Sequence, residues 1–400
     1  MYILVLNVGS SSVKAALFKG DKEHPHAFLK PLWKGALSKH DKNTLRSKIN
    51  VQDKVEERVL EVSTLTEGLI PLLESIWKGK LALLTDPSQI NRIGHRIVHG
   101  GEIFVQPTVI TPYVKNCLKE LSSMAPLHNP PGLLGIEAAE GLFPASLQIA
   151  VFDTAFHQTM NEVAFTYPGP YEWKEKGIRR YGFHGISHAY CAKKALEILP
   201  PIASASKMIC CHLGNGCSLT AIHEGKSVMN SMGFTPLEGL MMGTRCGSID
   251  PGILLYLMRH EKVDVDALDG ILNRESGLKG ISEESSDMQW IIAQKETMYR
   301  AKLAFDLFVQ SLKMHIGAMS ALLEGLDVLI FTAGIGENAQ EVRAETCKGL
   351  SYLGVHLDME ANHRCIPDQD ISKKNSSVRI LVIHTQEEMA IAHACLSIRD

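Results

Sequence analysis

A short apolar strand, a glycine-bearing turn and a second apolar strand occur at the start of the chain and again near its middle. Residues 2–6 (YILVL) run into Asn7-Val8-Gly9-Ser10-Ser11, and residues 12–18 then alternate, with Val13, Ala15 and Leu17 on one face. Residues 208–211 (MICC) lead to Gly214-Asn215-Gly216, and a further apolar stretch covers 217–222. An unbroken apolar run reads as a buried strand, and alternation as a strand with one buried face. The two copies lie about half of the 400-residue chain apart, too far for a solenoid, whose period is about 20–50 residues. Two related domains fit that separation, and they fit a usual domain size of about 100–200 residues.

Around these copies the pattern alternates. Residues 19–54 are charged and read as peripheral loops and edge elements, and 55–77 read as a helix. Residues 90–98 read as a strand ending at Gly100-Gly101, 112–124 and 133–142 as helices, and 147–152 as a strand that delivers Asp153 at its end. Helices are expected over 250–260, 264–275 and 287–325. A buried strand at 328–332 enters a glycine-rich turn, 334–338, with a helix after it; 379–383 and 387–396 read as the last strand and helix. Strands alternating with helices indicate the α/β class.

Charge and cysteine usage exclude several functions. Lys and Arg number 41 against 44 Asp and Glu, so no basic excess points to nucleic acid. No run of about 18 apolar residues is present to cross a membrane as a helix. The nine cysteines are odd in number and form no C-x-x-C, which argues against a disulfide framework or a cysteine zinc site. The first residues carry no basic segment and their apolar run ends at Leu6, so they read as a strand rather than a signal peptide. A cytoplasmic protein is the expectation.

Three glycine-rich turns follow apolar strands, at 9–12, 214–218 and 334–338. Such turns bring backbone N–H groups close to phosphate oxygens, so together they suggest a nucleotide. A Walker A motif fails, because Thr220 stands where Gly-Lys-Ser at 225–227 would need a glycine. Residues 334–339 match G-x-G-x-x-A, with Asp358 as a ribose acid, but too little chain follows for a dinucleotide domain. The pairs His95/His99 and His184/His188 lack a third metal ligand, and 185–189 falls short of G-x-S-x-G. Arg96, His128, Asp153, His184 and Arg245 sit at strand ends and in glycine-rich loops, where α/β folds build their sites.

Nine segments in order resemble the acetate kinase family: LNVGSSSVK (6–14), GHRIVHGG (94–101), APLHNPP (125–131), VFDTAFH (151–157), RRYGFHGISH (179–188), HLGNGCS (212–218), SMGFTPLEGLMMGTR (231–245), AGIGEN (333–338) and HTQEE (384–388). The resemblance implies two ribonuclease-H-like domains, as in actin, sugar kinases and heat-shock chaperones, flanking a cleft. It places one domain at 1–153 plus 387–400 and a nucleotide-binding domain at 154–386. It implies reversible, direct in-line phosphoryl transfer from ATP to acetate with Mg2+, or Mn2+ in its place, and a homodimer. Propionate kinase is the alternative within the same chemistry. An ATP-binding member without catalysis is the alternative outside it, and the presence of both arginines speaks against that reading.

The family's site residues follow by the same resemblance. Asp153, Arg96, His184 and Arg245 are the catalytic set, with Arg96 and Arg245 gripping acetate and the phosphoryl group and His184 stabilising the transition state. Val98, Leu127, His128, Phe183 and Pro236 line the acyl pocket, and Val98 limits chain length. Lys14, His212, Leu213, Gly214, Asn215, Gly216, Asp287, Met288, Gln289, Gly334, Ile335, Gly336, Glu337 and Asn338 contact the nucleotide. Glu387 holds the metal, with Glu388 as its neighbouring alternative, and Asn7 is a ligand or a support behind one. A proton acceptor at Asp153 is chemically unnecessary, since a small carboxylic acid is already ionised at pH 7. The sequence departs from the family at Gln289, where Arg is common, at Cys246 and Ser248 for Ser and Asp, at Glu283 for Gly, and at Asn230 for Thr. Gln289 would lose an arginine stack on the base, and Cys246 beside Arg245 would be open to oxidation.

Overall fold

A computed structural model describes residues 1–9, 12–24, 27, 29–41, 43–126, 128–199 and 206–399. Ser10, Ser11 and Leu127 therefore lie outside the described residues. The chain forms two compact units, Met1–Ala155 with Gln386–Asp400, and Phe156–Thr385.

The first unit is built on eight strands: β1 (Tyr2–Val8), β2 (Ser12–Lys19), β3 (Trp33–Asp41), β4 (Thr44–Val51), β5 (Lys54–Leu60), β6 (Ile90–Ile97), β7 (Thr108–Val109) and β8 (Leu147–Phe152). Their order in the sheet is β5-β4-β3-β2-β1-β6-β8-β7. β1 to β5 form an antiparallel meander, while β6 runs parallel to β1 and β8 parallel to β6. The helix expected over 55–77 is therefore corrected: its first residues are strand β5, and the helix spans Leu65–Glu74. Charges that suggested a helix face are cross-strand partners instead. Lys48 and Glu57 stand opposite each other in the β4–β5 register and pair at 2.8 Å. The helix begins where Thr64 and Glu67 form a reciprocal cap.

The last helix, Glu387–Ser397, packs on β1 and β6 of the same unit. Gly94 in β6 permits this. A Cβ there would lie 2.5 Å from Ile391 Cγ2 and 2.7 Å from Cys395 Sγ. Arg92 ties down the end of the helix by donating to the carbonyls of Cys395 and Ile398.

The second unit repeats the plan with β9 (Lys207–Leu213), β10 (Cys217–His223), β11 (Lys226–Asn230), β12 (Val328–Thr332), β13 (Gln369–Asp370) and β14 (Arg379–Val382), in the order β11-β10-β9-β12-β14-β13. Again three strands form an antiparallel meander, and two parallel strands add beside its first member. Both units thus have the ribonuclease-H-like arrangement in an α/β fold. Two further expectations are corrected. Residues 287–325 form two helices, Met288–Gln294 and Tyr299–Leu322, because Gln294 O accepts from both Thr297 N and Met298 N and closes the first. The glycine-rich stretch after β12 is itself a helix, Ala333–Asn338, rather than a turn. Among the described residues no helix is long and apolar enough to cross a membrane.

Candidate active site

In the first unit the expected polar residues gather at the carboxyl ends of three neighbouring strands, where open α/β sheets bind ligands. Asn7 lies near the end of β1, Arg96 near the end of β6, and Asp153 just past β8. Arg96 donates through Nε to both Asp153 oxygens, at 3.2 and 3.1 Å, and through Nη2 to Oδ2 at 2.6 Å. Its Nη1 donates to Asn7 Oδ1 at 3.3 Å. A guanidinium carries five N–H groups, so one on each terminal nitrogen remains for a carboxylate or phosphate. Burial pushes the Asp153 carboxyl up to about 6; Arg96 opposes that shift and the Glu387 carboxylate adds to it. Burial also works against the Arg96 charge, but Asp153 and Glu387 outweigh it and raise its pKa.

Glu387 opens the last helix and Glu388 follows it. Carboxylate and amide oxygens such as those of Glu387, Glu388 and Asn7 are the donors a hard divalent cation such as Mg2+ takes. Lys14 is exposed on β2, opposite Asn7 in the hairpin register. Val98 follows β6, and His128 precedes the helix Asn129–Leu142. Asn129 locks the loop after Val98: its Oδ1 accepts from His99 N at 3.1 Å and its Nδ2 donates to His99 O at 3.0 Å.

In the second unit Arg245 and His184 converge on the turn between β9 and β10. A Cβ on Gly216 would lie 3.4 Å from Arg245 Nη1 and 3.5 Å from His184 Nε2, so a glycine there keeps this space for another group. Arg245 Nη1 also donates to Pro236 O at 3.0 Å. His184 takes a left-handed conformation, φ 55°, at the head of the helix Gly185–Ile198. Its ring stacks on His212 at 4.2 Å between centroids. His212 and Leu213 are strand residues of β9, and Phe183 and Pro236 are buried.

A cavity of about 900 Å3 lies in the same unit, a size suited to a nucleotide. Gly214, Asn215, Asp287, Met288, Gln289, Gly334, Ile335, Glu337 and Asn338 all line it. Glu337 fixes the local backbone by accepting from Ala333 N at 3.0 Å, Thr385 N at 3.1 Å and His384 Nδ1 at 2.7 Å. Arg343 closes the far end by donating to the carbonyls of Gly336 and Glu337.

Several supporting residues carry no sequence signal. Asn129, Ser187, Ser218 and Arg343 act through partners distant in the chain or across a turn. The departures fit locally. Asn230 grips Phe183, accepting from its N at 3.3 Å and donating to its O at 3.2 Å, a bridge too long for Thr. Glu283 takes a left-handed φ of 62°, where Gly would be unstrained, and pairs with Arg300. Burial raises the Cys246 thiol, so the expected sensitivity to oxidation is disfavoured.

A model of the acetokinase family matches residues 2–393. An acetate kinase of Gloeobacter violaceus is 49% identical over 403 residues, covering 99% of this chain and 98% of the relative. The crystal structure of Porphyromonas gingivalis acetate kinase superposes with a TM-score of 0.89 at 38% identity, covering 99% of both chains. That of a propionate kinase from Francisella tularensis subsp. tularensis SCHU S4 gives 0.90 at 37% identity, covering both chains fully. With the paired sheets and both polar clusters in place, the match over nearly the whole length means that this chain belongs to the acetokinase family.

Proposed function

We propose that this chain is an acetate kinase, transferring the γ-phosphoryl group of ATP to acetate and running the same step in reverse. An acetate oxygen forms the new bond to phosphorus as the bond to the β-phosphate oxygen breaks, and that electron pair leaves with ADP. The observation that carries the reading is the approach of Arg245 and His184 to the side-chain-free turn at Gly216. A fixed cation and an imidazole donor suit the charge that spreads over the equatorial oxygens of a transferring phosphoryl group.

Arg96 uses its two remaining N–H groups on the anion, and Asp153 holds the guanidinium in place rather than taking a proton. Glu387, or Glu388 beside it, with Asn7 as a ligand or a support behind one, would hold Mg2+, which would offset the negative charge of the phosphates. Lys14 adds a phosphate contact. The family resemblance gives Val98, Leu127, His128, Phe183 and Pro236 acyl-binding roles, and the nucleotide occupies the cavity of about 900 Å3 in the second unit. Acetate is preferred, with propionate slower, because one methylene is worth only about 1–3 kcal/mol. The protein works in the cytoplasm as a homodimer. Exposed Ile253, Leu255, Tyr256 and Val265 support an apolar contact of that kind.

A hydroxylamine trap for acyl phosphate tests this. ATP, Mg2+ and acetate should give hydroxamate above the propionate level, and Arg245→Ala should abolish it. No hydroxamate with acetate, propionate or butyrate would remove the kinase reading.

A further inference from the structure

His184 does not stand alone. Its Nδ1 lies 2.9 Å from Ser218 Oγ, and the same oxygen lies 2.7 Å from His188 Nε2. Ser218 is fully buried on β10, and His188 is fully buried one turn into the helix that His184 begins. The hydroxyl has one proton to give and two lone pairs to accept with. Because Ser218 Oγ is buried and pairs only with these two rings among the described residues, its proton goes to one imidazole and the other must donate to it.

Two arrangements satisfy the geometry. In one, His188 Nε2–H donates to Ser218 and Ser218 O–H donates to His184 Nδ1. In the other, both bonds reverse. His188 Nδ1 decides between them, because it is buried without a hydrogen-bond partner. Burial, reinforced by His157 and His212, keeps the His188 ring neutral, so it holds one proton. The first arrangement leaves a bare lone pair at the unpartnered Nδ1. The second leaves an N–H there, and buried N–H groups without an acceptor are the rarer and costlier defect.

We propose that Ser218 and His188 are positioning residues that hold His184 in the tautomer with its proton on Nε2. The nitrogen nearest the Gly216 turn is then a donor, as an anionic phosphoryl oxygen requires, and not a lone pair that would repel it. Asp or Glu commonly performs this duty for a catalytic histidine. Here a hydroxyl and a second imidazole do so without placing negative charge beside the phosphoryl group. The link to catalysis rests on the kinase reading; the tautomer itself does not.

Histidine-selective 15N labelling of the substrate-free protein tests the tautomer directly, with the His184 signals assigned by their loss in His184→Asn. The expected spectrum has a protonated Nε2 and a bare Nδ1. A protonated Nδ1 would overturn the proposal, and this readout needs no activity. His188→Leu removes the donor but no bond from Nδ1, so the fold should be kept, while kcat falls about ten- to hundredfold with both KM values unchanged. His188→Gln, whose amide N–H reaches to the place of Nε2, should restore both kcat and the wild-type tautomer. Unchanged kcat in His188→Leu and Ser218→Ala would overturn the positioning role. Absence of hydroxamate from the wild type, with the Nε2–H tautomer seen, would overturn the kinase reading and support the hydrogen-bond direction.

Discussion

At the ends of β1, β6 and β8 the first unit buries an ion pair, Arg96 on Asp153. Around β9 and β10 the second unit buries two imidazoles held neutral, His157 and His188, and links its rings through serine hydroxyls. The sheets beneath are alike, so the difference lies in the side chains each unit places at its strand ends. The guanidinium of the pair supplies a positive charge that pH hardly alters, but both ions lose their hydration and must be kept together. A neutral imidazole is a donor without that penalty, at the risk of becoming charged in acid.

Removing each unit's arginine should separate these two designs most strongly. Arg96→Ala and Arg245→Ala should each lower acyl phosphate formation by about 10³-fold or more. Only Arg96→Ala should also cost stability, about 3 kcal/mol in urea unfolding, because it strands the fully buried Asp153. Equal stability loss in both variants would break the comparison.

Acid should unfold the units unequally. His157 sits at about 4, against an ordinary 6.5, because burial disfavours its charged form. Its contribution is complete above pH 6.5 and is lost as pH falls toward 4. Between pH 7 and 5 that loss is about 2 kcal/mol, and His188 shifts in the same direction. In the first unit His95, also lowered to about 4 by burial, behaves likewise. Asp153 has the opposite sign: raised to about 6 from 3.8, it adds stability as pH falls through that window. The two act in opposite directions, so they partly cancel. Hydrogen exchange of β8 and β10 peptides at pH 7 and pH 5 should therefore show β10 losing protection first. Equal loss would mean that other groups dominate.

Asp153→Asn should reduce kcat about ten- to hundredfold while leaving activity at saturating Mg2+ and adding no new step to the pH profile. A rate that tracked a single added basic group would make Asp153 a proton acceptor after all. The smallest effect should come from Val98→Ala. It should raise the propionate-to-acetate ratio of kcat/KM about tenfold, the worth of one methylene in an apolar pocket.

Legibility in the sequence follows the same division. Strand ends and glycine-rich loops stand out, so Arg96, His128, Asp153, His184 and Arg245 are visible as candidates in the residue pattern alone. Their roles, and Glu387 altogether, come only through the family's motifs. The supporting roles of Ser218, Ser187 and Asn129 escape, since a small polar residue gains meaning only from neighbours across a sheet or loop. Strand β5 reads as a helix because its charged residues pair across the sheet, which the linear sequence does not display.

The helix held by Gly94 and Arg92 also sets an order of manufacture. The second unit is one continuous stretch of chain, whereas the first is finished only by residues 386–400. A ribosome adding about 5–20 residues per second must make the whole second unit before that helix emerges. Until then the bare face of β1 and β6, where Ile391 and Cys395 will lie, is exposed and sticky. The earliest-made strands are thus among the last to be sealed, tens of seconds after they leave the ribosome.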